Sequence, residues 1–290
     1  QGTRLTQNLL HDNQRPAFAK QLKGGMMCQD IFVEVGHGPT LIDNNILLSD
    51  ASLRFATQGV AMVHNLICGA LTCVGDGTGW RYTPYHMPHR TEVRGFMTIL
   101  HGDDRFYNNI FVQKWPSEDF ITMHDSDDGF DSENRKVGTW MFDEYPTYDE
   151  WISQFEFAKP ADMKQLAPVH FDHLPVWSEG NVYLNGAKAW KHEKNALASS
   201  ENVEVELTVE DGKDVLDTNI DEGLGDFSGR MINTEVLGKA FEPEEFFENP
   251  DGTPITFDAD YFGGHRGAKV IPGPFAAKED AEKNVNICAF

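Results

Sequence analysis

The amino-acid sequence predicts an all-β protein: a parallel β-helix (solenoid) with long loop insertions and an antiparallel C-terminal extension. Three observations lead to this fold class. An Asn followed by alternating aliphatic residues recurs along the chain, and two of its copies are 20 residues apart. Residues 203–209 alternate strictly between apolar and polar side chains, which is typical of a half-buried antiparallel strand. A repeat near 20 residues with short strands is typical of a solenoid.

The repeated phrase is found at five positions, Asn8, Asn45, Asn65, Asn109 and Asn181. The short strands around it cannot bury a face alone, but stacking them about 4.8 Å apart buries a continuous core. An Asn at the same point of each turn can pass amide hydrogen bonds to the next turn, and Asn tolerates the left-handed backbone of tight corners. We therefore expect an asparagine ladder. The alternative is chance recurrence of Asn in an ordinary β-sandwich.

The repeats also suggest a domain organisation. Residues 1–190 are expected to form the parallel β-helix, which we call the coil, with an inserted loop at 14–27 and an acidic, aperiodic insertion at about 117–165. Residues 191–290 are expected to form an antiparallel extension packed on the coil, because the alternating strand leads into an Asp211–Gly212 turn. The chain has no initiator Met and begins in the middle of a strand pattern, so we expect the N-terminal part of a longer protein to be absent.

Composition limits the partners. The 290 residues include 46 acidic and 24 basic side chains, a formal net charge of −22. Such a surface repels nucleic acids, anionic membranes and polyanionic substrates, and no apolar run is long enough for a transmembrane helix. We expect no nucleic-acid or membrane partner and a small oligosaccharide as ligand. The four cysteines form no CxxC pair; their sparseness slightly favours the cytoplasm over secretion without fixing the compartment.

Glu34 is the first candidate catalytic residue. Along a strand, Val33 and Val35 share the inner face with Ile31, whereas Glu34 shares the outer face with Phe32. A carboxyl group beside an aromatic ring is favoured in the protonated form that a general acid requires. The alternative is a solvated glutamate on a strand exterior. Retaining glycosidases need two carboxyls about 5–5.5 Å apart, which is close to the spacing of adjacent turns. The equivalent acid one turn earlier would precede the first residue.

Five further side chains are candidates for substrate binding. His37 follows in a glycine-rich turn, where it either reaches a sugar hydroxyl or caps the turn. Arg54, one turn later, is expected to hold a sugar hydroxyl or a carboxylate. Tyr85, His86 and His89 lie in one loop and suit sugar contact, because an aromatic ring stacks on the apolar face of a sugar. Two histidines without a third ligand in view are weak evidence for a metal, and none is predicted.

Two acidic positions are expected to be structural. Asp43 opens one of the Asn phrases and is the second-best acid in the chain, but a role in the turn fits it better. Asp103 and Asp104 stand directly before Arg105, an arrangement that favours a structural salt bridge over a contact with substrate.

Several blocks of sequence resemble glycoside hydrolase family 120, which comprises retaining β-xylosidases on a right-handed parallel β-helix that also carries a β-sandwich domain. The blocks include Gln1-Gly-Thr-Arg, Asp30-Ile-Phe-Val-Glu-Val-Gly-His-Gly-Pro39, Pro84-Tyr-His-Met-Pro-His89 and Phe247-Glu-Asn-Pro-Asp-Gly-Thr-Pro-Ile255. The resemblance implies that Glu34 is the general acid/base. It places the nucleophile, an Asp, a few residues before Gln1, and it requires no metal or organic cofactor. The loop at 14–27 departs from the family pattern, which puts the substrate identity in doubt.

The predicted function is therefore a retaining β-xylosidase acting on xylobiose and short xylo-oligosaccharides. The chain alone is expected to be inactive, its site being completed by a homo-oligomer or by an N-terminal segment as a second piece. Two alternatives stay open: a polysaccharide lyase on the same scaffold, and a non-catalytic solenoid that binds glycans. The residues do not decide between xylose and arabinose.

Overall fold

The computed structural model describes residues 2–13, 29–73, 82–114, 137–155, 169–211, 213–277 and 285–286. The predicted loop at 14–27 and much of the acidic insertion lie outside the described residues. The strands are β1 (Thr3–Thr6), β2 (Leu9–Leu10), β3 (Ile31–Glu34), β4 (Thr40–Asp43), β5 (Ile46–Leu47), β6 (Ala51–Ala56), β7 (Val60–Val63), β8 (Leu66–Ile67), β9 (Ala70–Cys73), β10 (Thr83–His86), β11 (Val93–Met97), β12 (Asp104–Tyr107), β13 (Ile110–Val112), β14 (Val176–Glu179), β15 (Val182–Leu184), β16 (Leu197–Ala198), β17 (Val205–Glu210), β18 (Lys213–Thr218) and β19 (Val285–Asn286). The helices are α1 (Tyr148–Ser153), α2 (Ile220–Leu224) and α3 (Thr234–Leu237), with a 3-10 turn at Trp140–Phe142.

Most of these strands belong to three parallel sheets. Sheet 1 has the order β1-β4-β7-β12-β14, sheet 2 the order β16-β15-β13-β8-β5-β2, and sheet 3 the order β3-β6-β9. From β1 to β9 the chain visits sheets 1, 2 and 3 in the same repeating order. The prediction of an all-β fold is confirmed, and the parallel sheets fit a β-helix. The handedness of the coil stays a prediction.

One apolar core is shared by the three sheets. Phe106 comes from sheet 1, Ile67 from sheet 2, and Leu53 and Phe55 from sheet 3, and all four are fully buried. The rings of Phe55 and Phe106 meet edge to face with centroids 6.2 Å apart. Burying a side chain of this size contributes about 1.5–3 kcal/mol. The alternation of the sequence therefore places one face of strands β1–β9 and β12–β15 in a common core.

The asparagine ladder is present. The Nδ2 atom of each ladder residue donates to Oδ1 of the next at 2.9–3.0 Å, through Asn8, Asn45, Asn65, Asn109 and Asn181 in that order. Each of the last four Oδ1 atoms also accepts the backbone N–H of the preceding ladder residue. We expected the ladder Asn itself to take the left-handed conformation. The structure instead gives this conformation to the residue before it, for example to Asn44, His64 and Asn108. The ladder amides serve hydrogen bonding, and their neighbours make the corner.

The C-terminal third of the chain covers the outer faces of two sheets. Phe247 and Phe257 pack against the outer side of sheet 1, and Ile220 and Phe275 pack against the outer side of sheet 2. Strands such as β4 are consequently buried on both faces. Sheet 3 differs, because its edge strand β3 keeps Phe32 and Glu34 exposed. Among the described residues of sheet 3, exposure is thus confined to Phe32 and Glu34 on the edge strand, since Ser52 and Ala56 on β6 are buried.

The C-terminal region contains a small antiparallel sheet, and the extent of this region as a separate extension stays a prediction. β17 and β18 form an antiparallel hairpin, and β19 adds to its edge. Residues 219–277 instead contain α2, α3 and isolated bridges between short irregular segments. This region packs on the faces of sheets 1 and 2, whose backbone groups are already hydrogen-bonded within those sheets. It is therefore attached through buried apolar side chains and not through further strand pairing.

Two further expectations can be compared with the described residues. Cys68 is buried, Cys73 is half-buried, and neither forms a disulfide, while Cys28 and Cys288 lie outside the described residues. In the same part of the chain, no helix has the length and apolar character needed to cross a membrane.

Candidate active site around Glu34

Glu34 ends strand β3 with its side chain on the outer face of sheet 3. Ile31 is buried and Val33 packs against the core, whereas Phe32 and Glu34 are exposed. On the adjacent strand, Ala56 is the in-register partner of Glu34. Ala56 is 1% exposed, so the accessible part of this face lies on the β3 side. The predicted orientation of the strand is therefore confirmed, although its catalytic role stays a prediction.

Arg54 lies on the same outer face. It is the register partner of Phe32 on β6, and its guanidinium carbon is 5.4 Å from the centroid of the Phe32 ring. Strand alternation puts Phe32 and Glu34 side by side on this face, so Arg54 is a diagonal neighbour of Glu34. The three side chains form a surface with one aromatic ring, one cation and one carboxylate, and such groups can hold a sugar ring and its hydroxyls.

The backbone turns sharply directly after Glu34. Val35 has φ 48°, a left-handed conformation that is an outlier for a β-branched residue. Such strain costs on the order of 1–3 kcal/mol and persists only where the surroundings fix it. The Val35 N–H donates to the Ala56 carbonyl at 2.8 Å. Gly38 has φ 73°, and a Cβ there would lie 2.5 Å from the Gly59 carbonyl oxygen, so both its backbone and its surroundings require glycine. The end of β3 is thus held in one defined geometry.

His37 lies inside this turn and is fully buried. Its Nε2 donates to the Thr83 carbonyl at 3.1 Å, and its ring meets Tyr85 edge to face with centroids 5.5 Å apart. Burial lowers the pKa of His37, so the ring is neutral near pH 7. These contacts attach the β10–β11 hairpin to the turn after Glu34. A contact between His37 and a sugar stays a prediction, and the structure gives the ring a positioning role.

A buried carboxyl that the sequence did not point to lies behind the turn. Glu242 Oε2 is 3.9 Å from His37 Nδ1 and accepts a hydrogen bond from Gln58 Nε2. Burial raises the pKa of Glu242 to about 8, and the nearby Asp103 charge adds to this effect. Glu242 stands in an acidic run, Glu242-Pro-Glu-Glu-Phe-Phe-Glu248, that resembles a solvated segment. No sequence signal distinguishes it from its neighbours.

Replacement of Glu242 by glutamine is expected to change how stability depends on pH. The folded-state pKa of about 8 lies above the ordinary value of 4.5, so the folded chain binds an extra proton between these values. Stability from this group is therefore fully present below about pH 4.5 and is lost as pH rises to about 8, with a slope of at most about 1.4 kcal/mol per pH unit.

Urea unfolding at pH 6 and pH 8.5 measures this effect. Glu242→Gln should be less destabilised than the unmodified chain on going to the higher pH. Glu244→Gln is a suitable control, because Glu244 is exposed and pairs with Arg94 at 2.6 Å. Identical pH profiles for all three proteins would contradict a raised pKa at Glu242.

The remaining predicted residues lie on the hairpin. Tyr85 and His86 belong to β10, and both are half-buried. His89 lies in the turn between β10 and β11 with φ 56°, and its Nε2 is 2.7 Å from Glu248 Oε1. His89 also lines a cavity of about 360 Å³ together with residues near β1. Tyr85 thus meets His37 behind Glu34, whereas His89 belongs to a separate cavity.

The acids expected to be structural have structural partners. Asp43 is fully buried and accepts two hydrogen bonds from Arg4, both at 2.8 Å, and one from Thr6. Asp103 accepts from Arg105 Nη1 at 2.8 Å, and both side chains are buried. These arrangements bind neighbouring parts of the coil to one another.

Comparisons with known proteins give one structural likeness. No protein-family model matches the chain, and no curated protein sequence matches it. A solved structure described as the complex of XylC with xylose is similar, with a TM-score of 0.76 and 29% sequence identity. The similarity covers 97% of this chain and 38% of that protein, so the chain spans about two-fifths of its structural relative.

Proposed function

We propose that the chain is the part of a retaining β-xylosidase that carries the general acid/base, Glu34. The observation that supports this most directly is the position of Glu34, which is exposed at the end of an edge strand of a parallel sheet. The likeness to a protein solved with xylose supports a xylose-containing substrate. The high negative charge favours neutral xylobiose and short xylo-oligosaccharides over uronic acid polymers.

The geometry of sheet 3 accommodates a second carboxylate. Among the strands that the structure describes, β3 lies at the edge of sheet 3 and is paired on one side with β6. A further parallel strand on its other side would lie about 4.8 Å away, close to the 5–5.5 Å that separates the two carboxyls of retaining enzymes. Because the chain passes from sheet 3 to sheet 1, that strand would directly precede β1. We infer that the nucleophile, an aspartate, is supplied by sequence before Gln1.

The proposed reaction is a double displacement. The aspartate attacks the anomeric carbon while Glu34 donates its proton to the glycosidic oxygen, and the bond between that carbon and oxygen breaks. Glu34, now a carboxylate, then takes a proton from water as the water oxygen attacks the same carbon and releases the aspartate. Glu34 returns to its protonated form and the xylose keeps its anomeric configuration.

The function is tested with a protein that carries this chain together with the sequence preceding Gln1. We expect it to hydrolyse 4-nitrophenyl β-xyloside and xylobiose, with β-xylose as the first product in proton NMR spectra. An α-configured first product would contradict the retaining mechanism. An unsaturated product absorbing in the ultraviolet would indicate a lyase, and glycan binding without turnover would indicate a non-catalytic solenoid.

A further inference from the structure

A cluster of three potential metal ligands lies apart from Glu34, at the turn of the β10–β11 hairpin. The imidazole of His89 and the carboxylates of Glu245 and Glu248 each offer one atom, and these atoms all lie within 4.8 Å of one another. We propose that these three residues bind a divalent transition-metal cation, with Zn²⁺ as the best-suited ion. The sequence pattern around His86 and His89 lacks a third ligand, and the fold brings two distant carboxylates to His89.

The backbone holds the two glutamates rigidly. Phe247, between them, is 1% exposed and packs in the core on the outer side of sheet 1. Its carbonyl accepts from the Thr234 hydroxyl at 2.8 Å, and the Glu245 carbonyl accepts from the Ala240 N–H at 2.9 Å. A fixed backbone reduces the entropy lost when a cation orders the side chains. Both carboxylates are therefore presented to His89 without rearrangement of the main chain.

The contacts of Glu248 point to a shared ligand. Its Oε1 is buried and lies 2.7 Å from His89 Nε2, yet among the described residues this oxygen has no hydrogen-bond partner. The two atoms are close without being aligned as donor and acceptor. Two ligands of one tetrahedral Zn²⁺ lie about 3.3–3.6 Å apart, so moving the two atoms apart by about 1 Å or less through side-chain rotation lets both bind one ion.

The charge of the cluster also favours a cation. Glu245 is only 6% exposed, so its carboxylate is largely shielded from water. Arg4 lines the adjoining cavity, but its Nε and Nη2 both donate to Asp43 at 2.8 Å. Among the described residues, the basic side chain within ion-pair distance of Glu248 is thus the imidazole of His89. A divalent ion would neutralise both carboxylates.

The donor set selects the ion. One imidazole nitrogen and two carboxylate oxygens suit Zn²⁺, which binds such atoms at about 2.0–2.2 Å, whereas Ca²⁺ takes six to eight oxygens. Three protein ligands leave one tetrahedral position for water or a ligand hydroxyl. The cavity of about 360 Å³ that His89, Glu245 and Glu248 line offers room for that fourth group.

Binding of Zn²⁺ to the tag-free chain, after removal of metals with a chelator, tests the proposal. Titration calorimetry should show one site per chain. His89→Gln and Glu248→Gln should each weaken it about ten-fold or more, and Co²⁺ should give the visible absorption of a four- or five-coordinate ion. Glu244→Gln is the matched control, because Glu244 lies beside the cluster and pairs with Arg94.

The measured Zn²⁺ affinity does not depend on hydrolase activity, so failure of the proposed function would leave this test unaffected. His89 has a side chain that is 54% exposed, so His89→Gln should fold normally, which circular dichroism verifies. Equal Zn²⁺ affinity in the unmodified chain and His89→Gln, or no binding to the unmodified chain, would overturn the proposal. A third outcome would assign the cluster to sugar hydroxyls instead of a metal. In that case the unmodified chain would bind xylose with or without Zn²⁺, and Glu248→Gln would not bind it.

Discussion

Replacement of Glu34 by glutamine is expected to reduce hydrolysis of xylobiose by about 10²–10⁴-fold in the protein that includes the sequence preceding Gln1. Glutamine cannot protonate the leaving oxygen, and xylose is a poor leaving group without that proton. An aryl xyloside with an acidic phenol leaves without assistance, so formation of its glycosyl-enzyme should change much less. The difference between the two substrates identifies a general acid.

The second half of the cycle offers an independent readout. Glu34→Gln also lacks the base that activates water, so the glycosyl-enzyme should accumulate with the activated substrate. Azide needs no general base, and it should restore turnover and form β-xylosyl azide. Glu206→Gln is the control, because Glu206 is an exposed strand glutamate on β17, far along the chain. Equal losses on both substrates, or no effect of azide, would exclude Glu34 as the acid/base.

Replacement of Asn65 by alanine is expected to cause the largest loss of stability, about 3–5 kcal/mol. Asn65 lies in the middle of the ladder and is fully buried. Its Nδ2 donates to Asn109 Oδ1 and to the Ile42 carbonyl at 2.9 Å, and its Oδ1 accepts from the Asn45 N–H at 3.0 Å. Alanine leaves these buried groups without partners, and each such group costs about 1–3 kcal/mol.

Chemical denaturation followed by circular dichroism measures this loss. Asn8→Ala is the matched control, because Asn8 makes the same ladder contact at the exposed end of the row. Solvent replaces the lost partners there, so we expect a change of about 1 kcal/mol or less. Similar losses at Asn8 and Asn65 would show that the buried ladder is not a main source of stability.

Local patterns predicted the parts of the fold that depend on a single strand and its repeat. Alternation around Glu34 was enough to place Phe32 and Glu34 outward, because a strand has only two faces. The spacing from Asn45 to Asn65 was enough to predict the ladder, because stacked turns bring equivalent positions together. The ion pair between Asp103 and Arg105 could also be predicted from a local pattern, because the two residues are only two positions apart in the sequence.

Contacts between distant segments could not be predicted in this way. Glu242 meets Gln58 from 184 residues away, and Glu248 meets His89 across the interface between the hairpin and the C-terminal region. Both glutamates belong to one acidic run that resembles a solvated face. Their burial depends on where Phe247 packs in the core, and no local sequence pattern predicts that position.

The sequence by itself determined the all-β character, the asparagine ladder and the outward position of Glu34, because each follows from the period of a strand or of a repeat. The tertiary structure decided which face of the coil stays accessible. Residues 203–275 place their apolar anchors on sheets 1 and 2, and within the described residues the edge strand of sheet 3 keeps Phe32 and Glu34 exposed. That choice depends on apolar burial summed over a whole surface, a quantity that exists only once the chain has folded.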